Sequence, residues 1–178
     1  MSDREVFDHL DLLPAADNPA LLAPTVAAAI HHVPGALVFT IDPALADTAA
    51  LCEAYDLPLD SCANCVIVAG RRGETARHVA CMALATTKVD VNTTVRKRLD
   101  VRKASFAPMD VAVQNSGMEY GAITPVGLPG SWPVWVDGAV SAAGWVCIGS
   151  GVRGSKLVLP AAELLRLPGA EVVADLAR

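Results

Sequence analysis

Apolar and polar positions alternate along this chain in short blocks, some at helical spacing and some at strand spacing, with no repeating unit. Near the N-terminus, Val6, Phe7, Leu10 and Leu13 share one helical face behind Ser2-Asp3, a pair suited to capping. A second apolar stretch predicts a helix over 19–31, and Pro14 separates the two. His31-His32 ends that second helix, where ring N–H groups suit exposed carbonyls. Pro34-Gly35 then breaks the chain, and residues 36–41 (ALVFTI) read as a strand. Asp42-Pro43 places a capping side chain before a proline in the first helical position, so a helix is expected up to Tyr55 along Leu45, Thr48, Ala49 and Cys52.

From Asn64 onward strand patterns dominate. Residues 65–69 and 75–84 flank Gly70-Arg71-Arg72-Gly73, a β-hairpin pattern with a polar turn. A short basic helix is expected over 90–99, capped by Asp90 or Asn92. It is followed by a strand over 103–107 that stops at Pro108 and a helix over 109–115. Three further apolar runs, 134–137, 145–149 and 156–159, precede a helix at 161–167 and a last strand at 171–174. Mixed elements without a βαβ repeat predict an α+β fold: one domain over 33–178, a mixed, strongly curved β-sheet with surrounding helices, preceded by a helical N-terminal extension over 1–32.

Composition narrows the class. With 53% hydrophobic and 19% charged residues in 178, the chain is globular and long enough for a substantial core. No uncharged apolar run approaches the roughly 18–20 residues that span a bilayer, and the N-terminus lacks a basic region before its apolar stretch, so the expected location is the cytoplasm. Five cysteines, at 52, 62, 65, 81 and 147, do not form the even framework of a small secreted domain. Cys62 and Cys65 make a C-x-x-C, but no histidine pair completes a zinc set and the β-branched run that follows is a strand. They read as buried small hydrophobes, with no metal expected.

The net charge of −5 argues against general nucleic-acid affinity, yet residues 71–103 carry nine basic side chains against three acids. That segment, with Arg71, Arg72, Arg96, Lys97, Arg98, Arg102 and Lys103, is either a face that steers one polyanion or a solvated helix surface.

Two glycine-rich stretches are the candidates for chemistry. Residues 116–129 (SGMEYGAITPVGLP) hold Gly117, Gly121, Pro125, Gly127 and Pro129, which shape either a pocket wall with backbone N–H groups on offer or a plain connection. Residues 148–154 (IGSGVRG) include a G-x-G but do not open a helix after a strand, which excludes a Rossmann or P-loop reading. A hairpin turn explains them as well as a polar ligand site does.

The run Gly117–Leu128, the later Gly149-Ser150-Gly151-Val152-Arg153-Gly154 and the closing Leu164–Val173 together resemble the YbaK family, which includes the editing domain of bacterial prolyl-tRNA synthetases and its freestanding relatives. The resemblance covers about residues 36–175, and its most specific part is a G-x-x-x-P loop at Gly121–Pro125. It implies a freestanding aminoacyl-tRNA deacylase that uses no metal or other cofactor. In such a site Gly121, Ala122, Ile123, Pro125, Gly149, Ser150, Gly151, Arg153 and Gly154 line the pocket, Ser150 and Arg153 hold the adenosine or its phosphate, and Asn64 and Thr124 orient the ester. Backbone amides polarise the carbonyl, and water or a ribose hydroxyl attacks. The basic segment touches the tRNA. Aminoacyl-tRNA is then the partner, an aminoacyl-tRNA synthetase is a further candidate, and membrane and DNA are not expected.

Many family members carry a lysine where this chain has Asn64, leaving Lys156, Lys88 or Lys103 as other sources of charge. The alternative is a non-catalytic binding module of the same fold that recognises a nucleotide, an aminoacyl derivative or a protein.

Overall fold

Prolines at 14, 19 and 24 interrupt the N-terminal pattern every five residues, each removing a backbone donor, and the two expected helices are replaced by shorter pieces. The computed structural model describes residues 3–178, so the cap expected at Ser2 lies outside the described residues. A 3₁₀ turn at Arg4–Phe7 buries Phe7, and β1 (Leu13–Pro14) pairs antiparallel with β2 (Leu37–Thr40). Between them α1 (Pro24–Ala29) starts at Pro24, and Leu22, Ala23, Val26 and Ile30 join the main core.

The helix expected from Asp42 to Tyr55 is two. Asp42 Oδ1 accepts from the Ala44 N–H at 2.9 Å and starts one 3₁₀ turn, Pro43–Leu45. Asp47 Oδ1 then accepts from the Ala49 N–H at 3.1 Å and starts α2 (Thr48–Ala54). A second capping aspartate five residues after the first starts a separate helix.

The hairpin is present but longer than expected: β3 (Ala63–Arg72) and β4 (Thr75–Leu84) pair from Ala63 opposite Leu84 to Arg72 opposite Thr75. Its turn is Gly73-Glu74, with Gly73 at φ 59°. Gly70 lies inside the strand instead, because a Cβ there would come within 2.5 Å of the Val101 side chain. Asp90 caps the next element by accepting from the Thr93 N–H. That element opens as a π turn, Val91–Val95, before α3 (Arg96–Leu99).

The remaining elements are β5 (Ala104–Phe106), α4 (Met109–Ser116), β6 (Val134–Asp137), α5 (Gly138–Ser141), β7 (Trp145–Gly149), β8 (Ser155–Pro160), a 3₁₀ segment at Ala161–Arg166 and β9 (Ala170–Val173). The class is α+β, as the pattern predicts. The strands form an antiparallel sheet of order β1-β2-β8-β7 and a mixed sheet of order β5-β3-β4-β6-β9, in which β6 runs parallel to both β4 and β9. A parallel bridge between Cys62 and Cys147 joins the two sheets.

Alternation with period two sorts the strand side chains into layers. Val38, Val146, Ile148, Leu157 and Leu159 from the first sheet meet Ile67, Ala80, Met82, Val134 and Val136 from the second in the central core. Phe39, Cys147 and Val158 point the other way, against Phe7, Leu51 and Cys52. Val68, Val79, Cys81 and Trp135 pack under Val95, Leu99 and Leu176. No helix among the described residues is long and apolar enough to cross a membrane.

One contact at the edge of the core gives a pH prediction. The His78 ring stacks on Trp132 with centroids 4.9 Å apart, and burial lowers its pKa from the ordinary 6.5. Above pH 6.5 the ring is neutral in both states and its contribution is intact. As pH falls below that, the unfolded chain takes up the proton first, so stability drops until the lowered native pKa is passed. The urea midpoint should therefore fall less between pH 7 and 5 in His78→Phe than in the parent. Equal slopes would refute the assignment.

Candidate functional site

The breaks that divide the early helices shape a cavity of about 780 Å³ beside the junction of the two sheets. Its walls come from Ala46–Ala49 before and within α2, from Ala63–Val66 at the start of β3, from the loop around Tyr120–Ile123, and from the ends of β7 and β8.

The two glycine-rich stretches lock together to form one wall. The Glu119 N–H donates to the Gly151 carbonyl at 2.9 Å, and the Gly151 N–H donates to the Ala122 carbonyl at 2.8 Å. Arg153 adds three ties. Its backbone N–H donates to Glu119 Oε2 at 2.7 Å, and its guanidinium donates to the carbonyls of Tyr120 at 3.0 Å and Pro43 at 3.1 Å. Glycine is required at the contact, since a Cβ on Gly149 would lie 2.6 Å from the Ala122 carbonyl oxygen.

Of the residues expected in the site, Asn64, Gly121, Ile123, Gly149 and Arg153 line the cavity. The others stand behind its surface. Ala122 and Pro125 are buried, and Thr124 is fully buried with a hydroxyl that has no hydrogen-bond partner among the described residues. Ser150 is also fully buried; its hydroxyl closes the β7–β8 turn against the carbonyls of Val152 and Ser155, so it is not exposed to the cavity. Gly151 packs on Ala23 and Val26, and Gly154 faces Pro43. The turn between β7 and β8 thus contributes its ends to the cavity and its middle to the core.

Lys156 lines the cavity, whereas Lys88 and Lys103 do not. Its Nζ donates to the Ala46 carbonyl at 3.0 Å. Tyr120 and Thr48 also belong to the wall. The Thr48 hydroxyl donates to Asn64 Oδ1 at 2.7 Å, which leaves the Asn64 amide nitrogen as the donor available to a ligand. The signal for Thr48 was the second cap at Asp47; for Lys156 it was a lysine at an inward position of an otherwise apolar strand.

Three thiols, Cys62, Cys65 and Cys147, complete the wall, and Cys52 Sγ lies 3.6 Å from Cys62 Sγ. A hydrogen bond with Cys147, together with burial, raises the Cys62 pKa; burial raises that of Cys65 and pushes Cys52 up to about 12. Protonated thiols of this kind are weak nucleophiles. Among the described residues no histidine lines the cavity, and the one carboxylate that does, Asp47, is occupied in capping α2.

None of the basic residues of 71–103 touches the cavity. Arg72 and Arg77 pair with Asp100, and Arg98 pairs with Glu171 at 2.8 Å while lying 5.3 Å over the Trp135 ring. Arg96 Nε donates to the Asn92 carbonyl at 2.9 Å. Arg71, at the tip of the hairpin, donates to the Glu74 carbonyl, and Lys97, Arg102 and Lys103 are exposed without an ion pair among the described residues.

The fold is shared with solved structures at low identity. A protein described as a candidate trans-editing enzyme for prolyl-tRNA synthetase superposes with a TM-score of 0.70 at 16% identity, over 85% of this chain and 94% of that one. A hypothetical protein matches with a TM-score of 0.70 at 18% identity, over 79% and 90%. A scaffold described in work on epitope backbone grafting matches with a TM-score of 0.72 at 17% identity, over 85% and 95%. Sequence comparison with curated proteins returns no match. The model of the aminoacyl-tRNA editing domain matches residues 42–167, which hold both glycine-rich stretches, Asn64 and Lys156, and the chain belongs to that family.

Proposed function

We propose that the protein is a trans-acting aminoacyl-tRNA deacylase, which hydrolyses the ester of a mischarged tRNA without a metal. The observation that supports this reading best is the cavity wall itself: the N–H groups of Gly121 and Ile123 make no hydrogen bond among the described residues, and both residues line the same cavity as Asn64. Two free backbone donors and one side-chain amide can hold an ester carbonyl and stabilise the negative charge that builds on its oxygen as water or a ribose hydroxyl attacks. Held thiols and an engaged aspartate leave the cavity without an activated protein nucleophile, so positioning carries the reaction. Thr124 supports the loop from behind, and Arg153 fixes its outer edge. Lys97, Arg102, Lys103 and Arg71 supply the charge that meets the tRNA backbone.

Incubating the purified protein with a panel of mischarged tRNAs tests the proposal. One or more species should be deacylated above the buffer rate, and Asn64→Ala should slow that reaction by roughly 100-fold, the lower end of what the loss of one carbonyl donor costs. No release from any tRNA would rule the activity out and favour the non-catalytic binding module.

A further inference from the structure

The cavity is graded from its mouth to its floor. Tyr120 is 60% exposed and Leu59 45%, and Asn64 and Gly121 are open to solvent beside them. The inner residues Leu51, Cys62, Cys147 and Ile148 are each almost fully buried, and Lys156 among them is only 6% exposed. Its ammonium has three protons, but its one hydrogen bond goes to the neutral Ala46 carbonyl, and it makes no ion pair among the described residues. A buried cation without a counter-charge is costly, and a ligand group that supplies charge and lone pairs offsets that cost.

The order in which a ligand enters decides which group that is. The body of a tRNA is far larger than the cavity, so only its aminoacylated 3′ end reaches inside. With the ester held between Asn64 and the loop amides, the adenosine remains toward Tyr120. The part of the aminoacyl group that points deepest is its side chain, because the α-ammonium is repelled by Lys156.

We propose that Lys156 is a specificity-determining residue that selects aminoacyl groups whose side chain ends in a hydrogen-bond acceptor, a carboxylate above all, over aliphatic chains of the same shape. The inference rests on the deacylase reading for the orientation of the ligand. An aliphatic chain would remove the remaining water from the ammonium and return nothing, whereas a carboxylate would form a charge-assisted pair at the floor.

Calorimetric titration with non-hydrolysable amides of 3′-amino-3′-deoxyadenosine tests this, using aspartyl, asparaginyl and leucyl derivatives, which match in shape and differ in charge and acceptor. The expected order is aspartyl, then asparaginyl, then leucyl, with roughly 30-fold between the first and the last. In Lys156→Met that ratio should shrink to within about 3-fold, and in Lys156→Arg most of it should persist. The wild-type ratio decides the matter on its own if the methionine variant does not fold. Equal or tighter binding of the leucyl derivative, a preference that survives in Lys156→Met, or no binding of any derivative would each overturn the proposal. If the derivatives rank as expected while no mischarged tRNA is deacylated, the hydrolase reading fails and the specificity stands. Faster removal of leucine than of aspartate from tRNA has the opposite meaning.

Discussion

Gly149→Ala should lower the rate of deacylation by roughly 100-fold while leaving most of the protein folded, the loss expected when reacting groups are displaced by about 1 Å. The methyl group would be placed 2.6 Å from the Ala122 carbonyl oxygen and 2.9 Å from that of Ile123. Both are backbone atoms in the loop that carries the two free N–H donors. Nothing flexible can give way, so the loop must move outward, and the Gly121 and Ile123 amides move with it. Gly121→Ala offers a graded comparison. Its Cβ would meet Arg153 Nη1 at 2.5 Å, the end of a side chain that can swing aside, although φ of 79° adds strain. The rate should therefore fall less in Gly121→Ala than in Gly149→Ala. Steady-state hydrolysis of whichever mischarged tRNA is cleaved, with circular dichroism to confirm folding, measures both. A Gly149→Ala rate within 3-fold of the parent would show that the loop position does not govern catalysis.

Gly127→Ala should have the largest effect on stability, about 3–5 kcal/mol, combining left-handed strain with overpacking against a rigid neighbour. The residue adopts φ of 86°, and a Cβ there would fall 2.3 Å from the Thr25 carbonyl oxygen and 2.6 Å from its carbonyl carbon, at the first turn of α1. For a chain of this length such a loss lowers Tm by roughly 10 °C. Gly73→Ala separates the two causes: it has φ of 59° but nothing within 4 Å of the added carbon, so it pays for the strain alone. Urea titration of both variants checks the prediction. Equal destabilisation of the two would mean that the contact between Gly127 and α1 contributes nothing.

That contact also explains why the N-terminal residues matter to a site they do not line. Thr25 Oγ1 donates to the Ser116 carbonyl, and Ala23 packs under Gly151, so the start of α1 holds both glycine-rich stretches from behind. Phe7 and Ala15, which precede it, are fully buried in two different parts of the core. Residues 3–32 are therefore part of the support for the cavity wall.

Signals that depend on a few neighbouring residues were readable from the chain alone. Asp42 before Pro43 and Asp90 before Thr93 cap as their spacing predicts, the apolar runs at 134–137 and 145–149 are strands with those bounds, and the hairpin of β3 and β4 follows its alternation. The loop at Gly121–Pro125 was singled out by the family resemblance, since its glycines and prolines alone fit a plain connection equally well; two of its residues, Gly121 and Ile123, line the cavity. What the tertiary structure decided is which side of each loop faces the cavity. Thr124 and Ile123 are adjacent, yet one is buried behind the wall and the other lines it. Ser150 is enclosed while Gly149 before it faces the cavity, and Lys156 is brought to the floor by its pairing opposite Gly149 and Phe39. These outcomes follow from strand register and from backbone contacts between segments tens of residues apart. A pattern read along the chain carries periodicity but not the distance between those segments.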